Sequence, residues 1–226
     1  MVSKLRARQP AQKEERRRAI VEAALALWCE CTFEQFTMAQ LATRLGLAKG
    51  TLYLYFETKE ELFLALLDQL LENWLTELAQ LFLELKKPLR PPAVAATVLS
   101  TLQTRRELIR LLPLVETLLD RGASDKAVIV FERRALAYLT PASRALETGF
   151  PSLPTGSGIR LLLLLRALIM GIYLRANKPS RIRHMLAEHP DLQAFNIRFD
   201  AEFVFAAEAL IEGFVKLTKR QRNQTN

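Results

Sequence analysis

The sequence predicts an all-α protein, with an N-terminal three-helix head containing a helix-turn-helix and a larger helical portion behind it. Three observations lead there. Leucine and alanine make up nearly a third of the 226 residues, while glycine contributes only 8, a balance that favours helices over strands and tight turns. Apolar residues recur along most of the chain at the three- and four-residue spacing of one helix face. Hydrophobic residues are 50% and charged residues 25% of the total, which suits a buried core and argues against disorder. All-β sandwiches and glycine-rich nucleotide-binding folds are excluded on the same grounds.

Residues 1–12 read as a flexible basic arm carrying Lys4, Arg6, Arg8 and Pro10. A first helix is expected from about Lys13, with Ile20, Ala23, Ala24, Leu27 and Trp28 on its apolar face. Arg16, Arg17 and Arg18 crowd its first turns, where the helix dipole favours acids; those charges point to a need other than helix stability. Thr37 and Gln40 have capping-box spacing at the start of a short helix whose inward positions are Met38, Leu41, Ala42 and Leu45. Gly46 suits the left-handed residue that ends it. Lys49 to Phe56 then resumes a helical pattern, with Leu52 and Phe56 inward. Two short helices joined by a tight glycine turn form a helix-turn-helix.

A second capping box, Thr58-x-x-Glu61, opens a long amphipathic helix to about Leu85, ended by the stretch Lys86 to Pro92. Further helices are expected over about 93–103, 105–120, 125–148, 157–176, 180–187 and 199–219. Pro113 and Pro141 fall inside helical patterns, where each should kink or split its helix. The organisation expected is an arm at 1–12, a helix-turn-helix domain at 13–58, and a helical sensing and dimerisation domain at 59–220.

Charge and motif content narrow the function. The net charge is +8 and the isoelectric point about 9.8, which favours acidic partners such as nucleic acid. Ser3 to Arg18 holds seven basic and two acidic residues; it is either a solvated tail or a segment that follows the DNA backbone or enters the adjacent minor groove. Lys216, Lys219, Arg220 and Arg222 form a second basic cluster that aids solubility. Cys29 and Cys31 are too few for a disulfide framework, and residues two apart on a helix face away from each other. No metal site is expected, because His184 and His189 lie far from the cysteines with no matching cluster; they read as solvated surface residues. Catalytic residues and cofactors are likewise not expected: the sequence has no nucleophile–base pattern and no glycine-rich phosphate loop. Glu14-Glu15 and Glu60-Glu61 sit at helix starts, where acids stabilise the dipole. No signal peptide is expected, and Ile159 to Leu174 is interrupted by Arg166 and short of a bilayer span. The expected location is the cytoplasm.

A helix-turn-helix places its second helix in the major groove of DNA. Lys49, Gly50, Thr51, Tyr53 and Tyr55 lie off the Leu52–Phe56 face. A lysine donates to guanine acceptors, and a threonine offers a hydroxyl to a base edge and a methyl to thymine. Tyr53, Tyr55 and Lys59 can reach phosphates, and Thr37 with the free N–H groups at its helix start offers another phosphate site. Plain helical hairpins share this periodicity, so spacing alone leaves both readings open.

The residues from Phe36 to Leu62, FTMAQLATRLGLAKGTLYLYFETKEEL, resemble the signature of the TetR family of bacterial transcriptional regulators, and the match extends back through Arg18, Ile20, Ala23, Ala24 and Trp28. The resemblance implies groove-facing roles for Ala39, Lys49, Gly50, Thr51 and Tyr53, and phosphate-contacting roles for Thr37, Leu54, Tyr55 and Lys59. The chain departs from the pattern in four places. Thr32 stands where a glycine usually closes the turn after the first helix. Ala48 replaces the usual Ser or Thr cap of the recognition helix, a loss of about 1 kcal/mol of capping. Tyr55 stands where histidine is common, and the Leu54 side chain cannot hydrogen-bond a phosphate.

The larger half resembles the sensing half of that family in layout. The resemblance implies a homodimer through the helices at 157–176 and 199–219. Leu161 to Leu165, Leu168, Ile169 and Ile172 make the first apolar nearly all round, and such a helix must be covered. Phe199, Phe203, Ala206, Ala207, Leu210, Phe214 and Leu217 give the second a broad apolar face, and Gly171, Ala206 and Gly213 permit close approach. Two recognition helices about 34–36 Å apart would then read successive major grooves of double-stranded operator DNA. An effector is implied between the long helix 59–85 and the helices after it. The candidate walls are Trp74, Leu78, Phe82, Leu112, Val115, Leu119, Phe131 and Tyr138, with Glu116 as polar anchor, a set suited to a small hydrophobic molecule. Each of these side chains equally suits plain core. The reading is a ligand-responsive repressor. The alternatives are a regulator or activator without an effector, and an all-α enzyme or lipid-binding bundle with an incidental helix-turn-helix.

Overall fold

The chain folds as eleven α-helices with two short 3-10 segments and no strand among the described residues. The computed structural model describes the backbone of residues 2–225, and the side chains of 11–120 and 122–220. The helices are α1 (Val2–Glu30), α2 (Met38–Arg44), α3 (Lys49–Tyr53), α4 (Lys59–Glu84), α5 (Pro91–Gln103), α6 (Arg106–Leu111), α7 (Val115–Arg121), α8 (Asp125–Gly149), α9 (Ser157–Ala176), α10 (Ser180–Ala187) and α11 (Phe199–Thr225). The 3-10 segments are Leu112–Leu114 and Pro190–Phe195.

One boundary differs from the sequence reading. Helix α1 starts at Val2, not near Lys13, and takes in the segment read as an arm. Leu5, Arg6, Ala7 and Arg8 are strong helix formers. The side chains of Lys4, Arg6, Arg8 and Arg222 lie outside the described residues. Pro113 splits its helix, since α6 gives way to the 3-10 turn and then to α7. Pro141 does not split α8. The carbonyl it deprives of a donor is that of Ala137, which is exposed and can bond water.

By compactness the chain forms two units, Met1–Leu70 with Leu114–Arg133 and Leu71–Pro113 with Arg134–Asn226. The division falls inside α4.

The first unit is organised around Phe63 of α4, which is fully buried. Trp28, Phe33 and Phe36 each meet its ring edge-on, with centroids 5.4, 4.9 and 4.8 Å away, and such pairs contribute about 0.5–1.5 kcal/mol each beyond their area. Ile20 and Ala24 of α1, Leu41 of α2, Leu52 of α3 and Phe56 complete this core. Arg44 at the end of α2 forks onto Glu30 at the end of α1, with N···O distances of 2.9 and 2.8 Å. That bond, aided by the Arg44 charge, holds the Glu30 carboxyl below its ordinary value.

In the second unit α11 packs on α5 and α9. Phe203, Ala207 and Ile211 of α11 and Leu161, Leu165 and Ile169 of α9 are buried. Glu147 of α8 caps the start of α9: its Oε1 accepts from the N–H groups of Gly156 (2.9 Å) and Gly158 (2.8 Å) and from Ser143 Oγ (3.0 Å). Gly158 permits this approach, because a Cβ there would stand 2.6 Å from the Ser143 carbonyl oxygen. Helix α9 is long and apolar enough by length and composition to cross a membrane; here it packs against α6 and α11. Within the described residues of one chain its apolar circumference is only partly covered. Leu163, Leu164 and Leu174 stay exposed, as do Phe205 and Leu217 of α11.

Candidate nucleic-acid interface

The interface is built from two short helices whose ends are closed by polar side chains and one glycine. At the start of α2 the Gln40 N–H donates to Thr37 Oγ1 (3.2 Å), and the Thr37 N–H donates to Gln40 Oε1 (3.0 Å). Both halves of the capping box are present. At its end Gly46 adopts φ +63°, so that its N–H reaches the Thr43 carbonyl (3.1 Å) and the Leu47 N–H reaches that of Ala42 (2.9 Å). This is a Schellman ending, and only glycine takes that φ without strain.

Helix α3 starts at Ala48 with no side-chain cap, as the replacement of Ser or Thr implies. Backbone bonds hold it instead: the Thr51 N–H donates to the Ala48 carbonyl at 2.9 Å, and the N–H groups of Tyr55 and Phe56 extend the turn onto the Leu52 carbonyl. The turn after α1, where glycine is usual, is closed by a side-chain box. The Thr32 N–H donates to Gln35 Oε1 (3.0 Å), the Gln35 N–H to Thr32 Oγ1 (3.4 Å), and the Phe36 N–H to the Thr32 carbonyl (3.0 Å).

With Leu52 and Phe56 buried, the opposite face of α3 points outward. Ala39, Lys49, Gly50, Tyr53 and Leu54 are exposed and Thr51 is half-buried. Leu54 is 75% exposed, a large apolar side chain without cover on this face. A Cβ on Gly50 would meet nothing within 4 Å, so the outer surface of α3 is open where its backbone comes nearest. The Lys49 ammonium lies 5.9 Å from the centre of the Tyr53 ring. Tyr55 is half-buried and shares a hollow with Lys13 and Arg16 of α1. Sequence reasoning placed Tyr55 and the α1 arginines separately; their spacing carries no sign that they meet. Arg17 is turned inward over the Phe56 ring at 4.6 Å.

Lys59 is held differently from its expected role. Its ammonium donates to the Phe33 carbonyl and lies 3.9 Å from the centre of the Phe33 ring. Burial pulls its pKa below the ordinary lysine value, against the charges of Glu60, Glu34 and Cys31. To reach a phosphate it must leave these partners.

The start of α4 ties the head to the α7–α8 turn. Thr58 Oγ1 accepts from the Glu61 N–H (3.0 Å) and donates to the Gly122 carbonyl (2.7 Å). The Glu61 carboxylate accepts from the Glu57 N–H (3.2 Å) and from Ser124 Oγ (2.8 Å). The expected capping box is therefore half formed, and its acid holds Ser124 instead.

The residues expected to form the effector walls belong to both units. Trp74, Leu78, Phe82 and Leu112 are buried in the second unit, and the Trp74 indole N–H donates to Thr101 Oγ1 at 2.9 Å. Tyr138 is half-buried and donates to Glu72 Oε2 at 3.2 Å. In the first unit Val115 and Phe131 are buried, Leu119 is half-buried and Glu116 is exposed. Among the described residues no group of three or more His, Cys, Asp and Glu could hold a metal. Cys29 is exposed, and Cys31 Sγ donates to the Leu27 carbonyl at 3.2 Å. His184 and His189 are exposed.

Known proteins match both units. The family profile "Bacterial regulatory proteins, tetR family" matches residues 20–66, and "Tetracyclin repressor-like, C-terminal domain" matches residues 68–216. The HTH-type transcriptional regulator RutR of Escherichia coli strain K12 is 36% identical over 63 residues, 28% of this chain and 30% of that protein. The match thus spans under a third of that relative. A structure described as a TetR-family transcriptional regulator from Mesorhizobium loti MAFF303099 superposes with a TM-score of 0.52 at 21% identity, covering 91% of this chain and 97% of that one. A TetR transcriptional regulator from Rhodococcus sp. RHA1 gives 0.48 at 21% identity, over 87% and 97%.

Proposed function

The chain belongs to the tetR family of bacterial regulatory proteins, and from that premise we propose that it is a sequence-specific DNA-binding repressor, cytoplasmic and homodimeric, released from its operator by a small effector. Members of the family are regulators and not enzymes, so the enzyme alternative is set aside. The observation that carries the reading is the outward face of α2 and α3. It offers a lysine ammonium, a threonine hydroxyl, a tyrosine phenol and a bare glycine backbone on helices whose other face is fully committed to the core.

In this reading residues 13–58 form the reading head and 59–220 the sensing and dimerising part. Ala39, Lys49, Gly50, Thr51 and Tyr53 enter the major groove. Thr37, Leu54, Tyr55 and Lys59 meet the backbone; Leu54 acts through its N–H, and Lys59 after it leaves Phe33. Lys13 and Arg16 beside Tyr55 extend that backbone contact. The exposed apolar side chains of α9 and α11, Leu163, Leu164, Phe205 and Leu217 among them, support a dimer. The effector is a small hydrophobic molecule. The Thr58–Gly122 and Glu61–Ser124 bonds favour a head that follows the α7–α8 turn.

Selection of random duplex DNA on the purified protein, at two salt concentrations, tests the reading. A near-palindromic site should be enriched at both, and its affinity should fall steeply with salt. Enrichment of no sequence would mean that the +8 charge accounts for all binding.

A further inference from the structure

The outer face of α3 carries two stripes that differ in chemistry. Lys49 and Tyr53, four residues apart, share one, with the ammonium 5.9 Å from the ring centre. Gly50 and Leu54 share the other. Leu54 keeps helical backbone angles, φ −73° and ψ −16°, so the turn of about 100° per residue carries through from Gly50. Each of the two then stands about 160° around the helix from Leu52, the fully buried residue between them. The Gly50–Leu54 stripe is the part of α3 that points most directly away from the core.

Leu54 is 75% exposed, a figure that only Phe205 matches among the exposed large hydrophobic side chains of the described residues. It does not fold back along its own helix, since a Cβ on Gly50 would meet nothing within 4 Å. Apart from Tyr53, the other exposed residues of α2 and α3 are small or polar. Single leucines on a protein surface are ordinary. This one shares its stripe with a bare glycine and adjoins the lysine and tyrosine assigned to the groove, and the reading above uses only its N–H.

The major groove offers an apolar side chain few partners. Over adenine, guanine or cytosine it covers hydrogen-bonding groups, which lose water and gain nothing in return. Thymine alone presents a methyl group there, and a leucine set against that methyl takes apolar surface of both out of water. The deoxyribose edge is the rival apolar surface, and it is the same for every base.

We propose that the Leu54 side chain reads a thymine C5-methyl group in each half of the operator and is a specificity-determining contact. The contact presupposes that α3 is the recognition helix, as proposed above. Gly50, with no side chain on the same stripe, lets the helix approach closely enough for Leu54 to reach a base edge. The Lys49–Tyr53 stripe is left to hydrogen-bond base edges.

Fluorescence anisotropy of the full chain tests the contact, on the operator selected with it and at one salt concentration. Each thymine of the half-site is replaced in turn by deoxyuridine, which pairs as thymine does but lacks the methyl. At one position the replacement should weaken binding of the parent about fourfold, the worth of one buried methyl-sized group. Leu54→Ala should bind both versions of that position equally, while replacements elsewhere act on the two proteins alike. Leu54→Met, which keeps a large apolar side chain, should stay sensitive at the same thymine. Because Leu54 is mostly in solvent, both variants should melt with the parent. Two results would overturn the inference: no thymine that distinguishes the parent from Leu54→Ala, or a loss in Leu54→Ala that is the same on operator and on random duplex, the mark of a sugar contact. Either of them leaves the selected operator, and so the reading of α3, in place. A parent that selects no operator overturns that reading and the Leu54 contact together.

Discussion

The two units solve the same problem, burying one face of each helix, with different materials. The first uses residues that have few substitutes: Phe63 within three edge-on aromatic contacts, Thr37 and Gln40 exchanging hydrogen bonds, Gly46 at φ +63°. The second is filled largely by leucine, isoleucine and alanine, and swaps of similar volume, such as leucine for isoleucine or methionine, cost it little. It spends its specific residues at a few close approaches such as Gly158. A surface that must present fixed groups to a partner needs a rigid frame, and the first unit has one. The second tolerates variation because helix packing asks mainly for volume.

The largest expected effect sharpens that contrast. Phe63→Ala should cost about 3–5 kcal/mol, the usual range for emptying a buried aromatic site, whereas Leu165→Met in the second unit should cost less than about 1.5 kcal/mol. Urea denaturation of both variants measures the difference, and equal losses would break the comparison. Next in size is the exception within the second unit. Gly158→Ala puts a Cβ 2.6 Å from the Ser143 carbonyl oxygen and should cost about 1–3 kcal/mol, read from the same denaturation curves. A neutral result would mean that α8 and α9 separate easily and that Glu147 does not fix them.

The smallest effect lies at the Glu30–Arg44 fork. The Glu30 carboxyl is held below 4.5 by the Arg44 hydrogen bond, aided by its charge. Because the folded pKa is the lower one, the stabilisation is present above about pH 4.5 and is lost as pH falls through the folded value. Arg44→Ala should remove that part of the acid sensitivity, so the stability gap between parent and variant should close on going from pH 6 to pH 3. Both side chains are exposed, and the gap should be modest.

The same contrast explains what was legible in the sequence. The capping box at Thr37, the glycine ending at Gly46 and the inward Leu52 and Phe56 were readable because each depends on a residue type at a fixed local spacing. The Thr32–Gln35 box was not foreseen: a missing glycine says that a turn closes differently, not how. The motif places Lys59 near a phosphate and carries no sign of the Phe33 carbonyl that its ammonium bonds, 26 residues earlier in the chain. Pro113 and Pro141 looked alike in sequence and behave differently.

Whether the outer face of α3 reads DNA sequence is tested most directly by comparing the parent chain with the Lys49→Ala/Tyr53→Ala variant on the selected operator and on random duplex at one salt concentration. Loss of base contacts worth about 1–3 kcal/mol each should cut the preference for operator by roughly tenfold or more, while the salt-dependent binding to random DNA largely persists. An unchanged operator preference would contradict the claim.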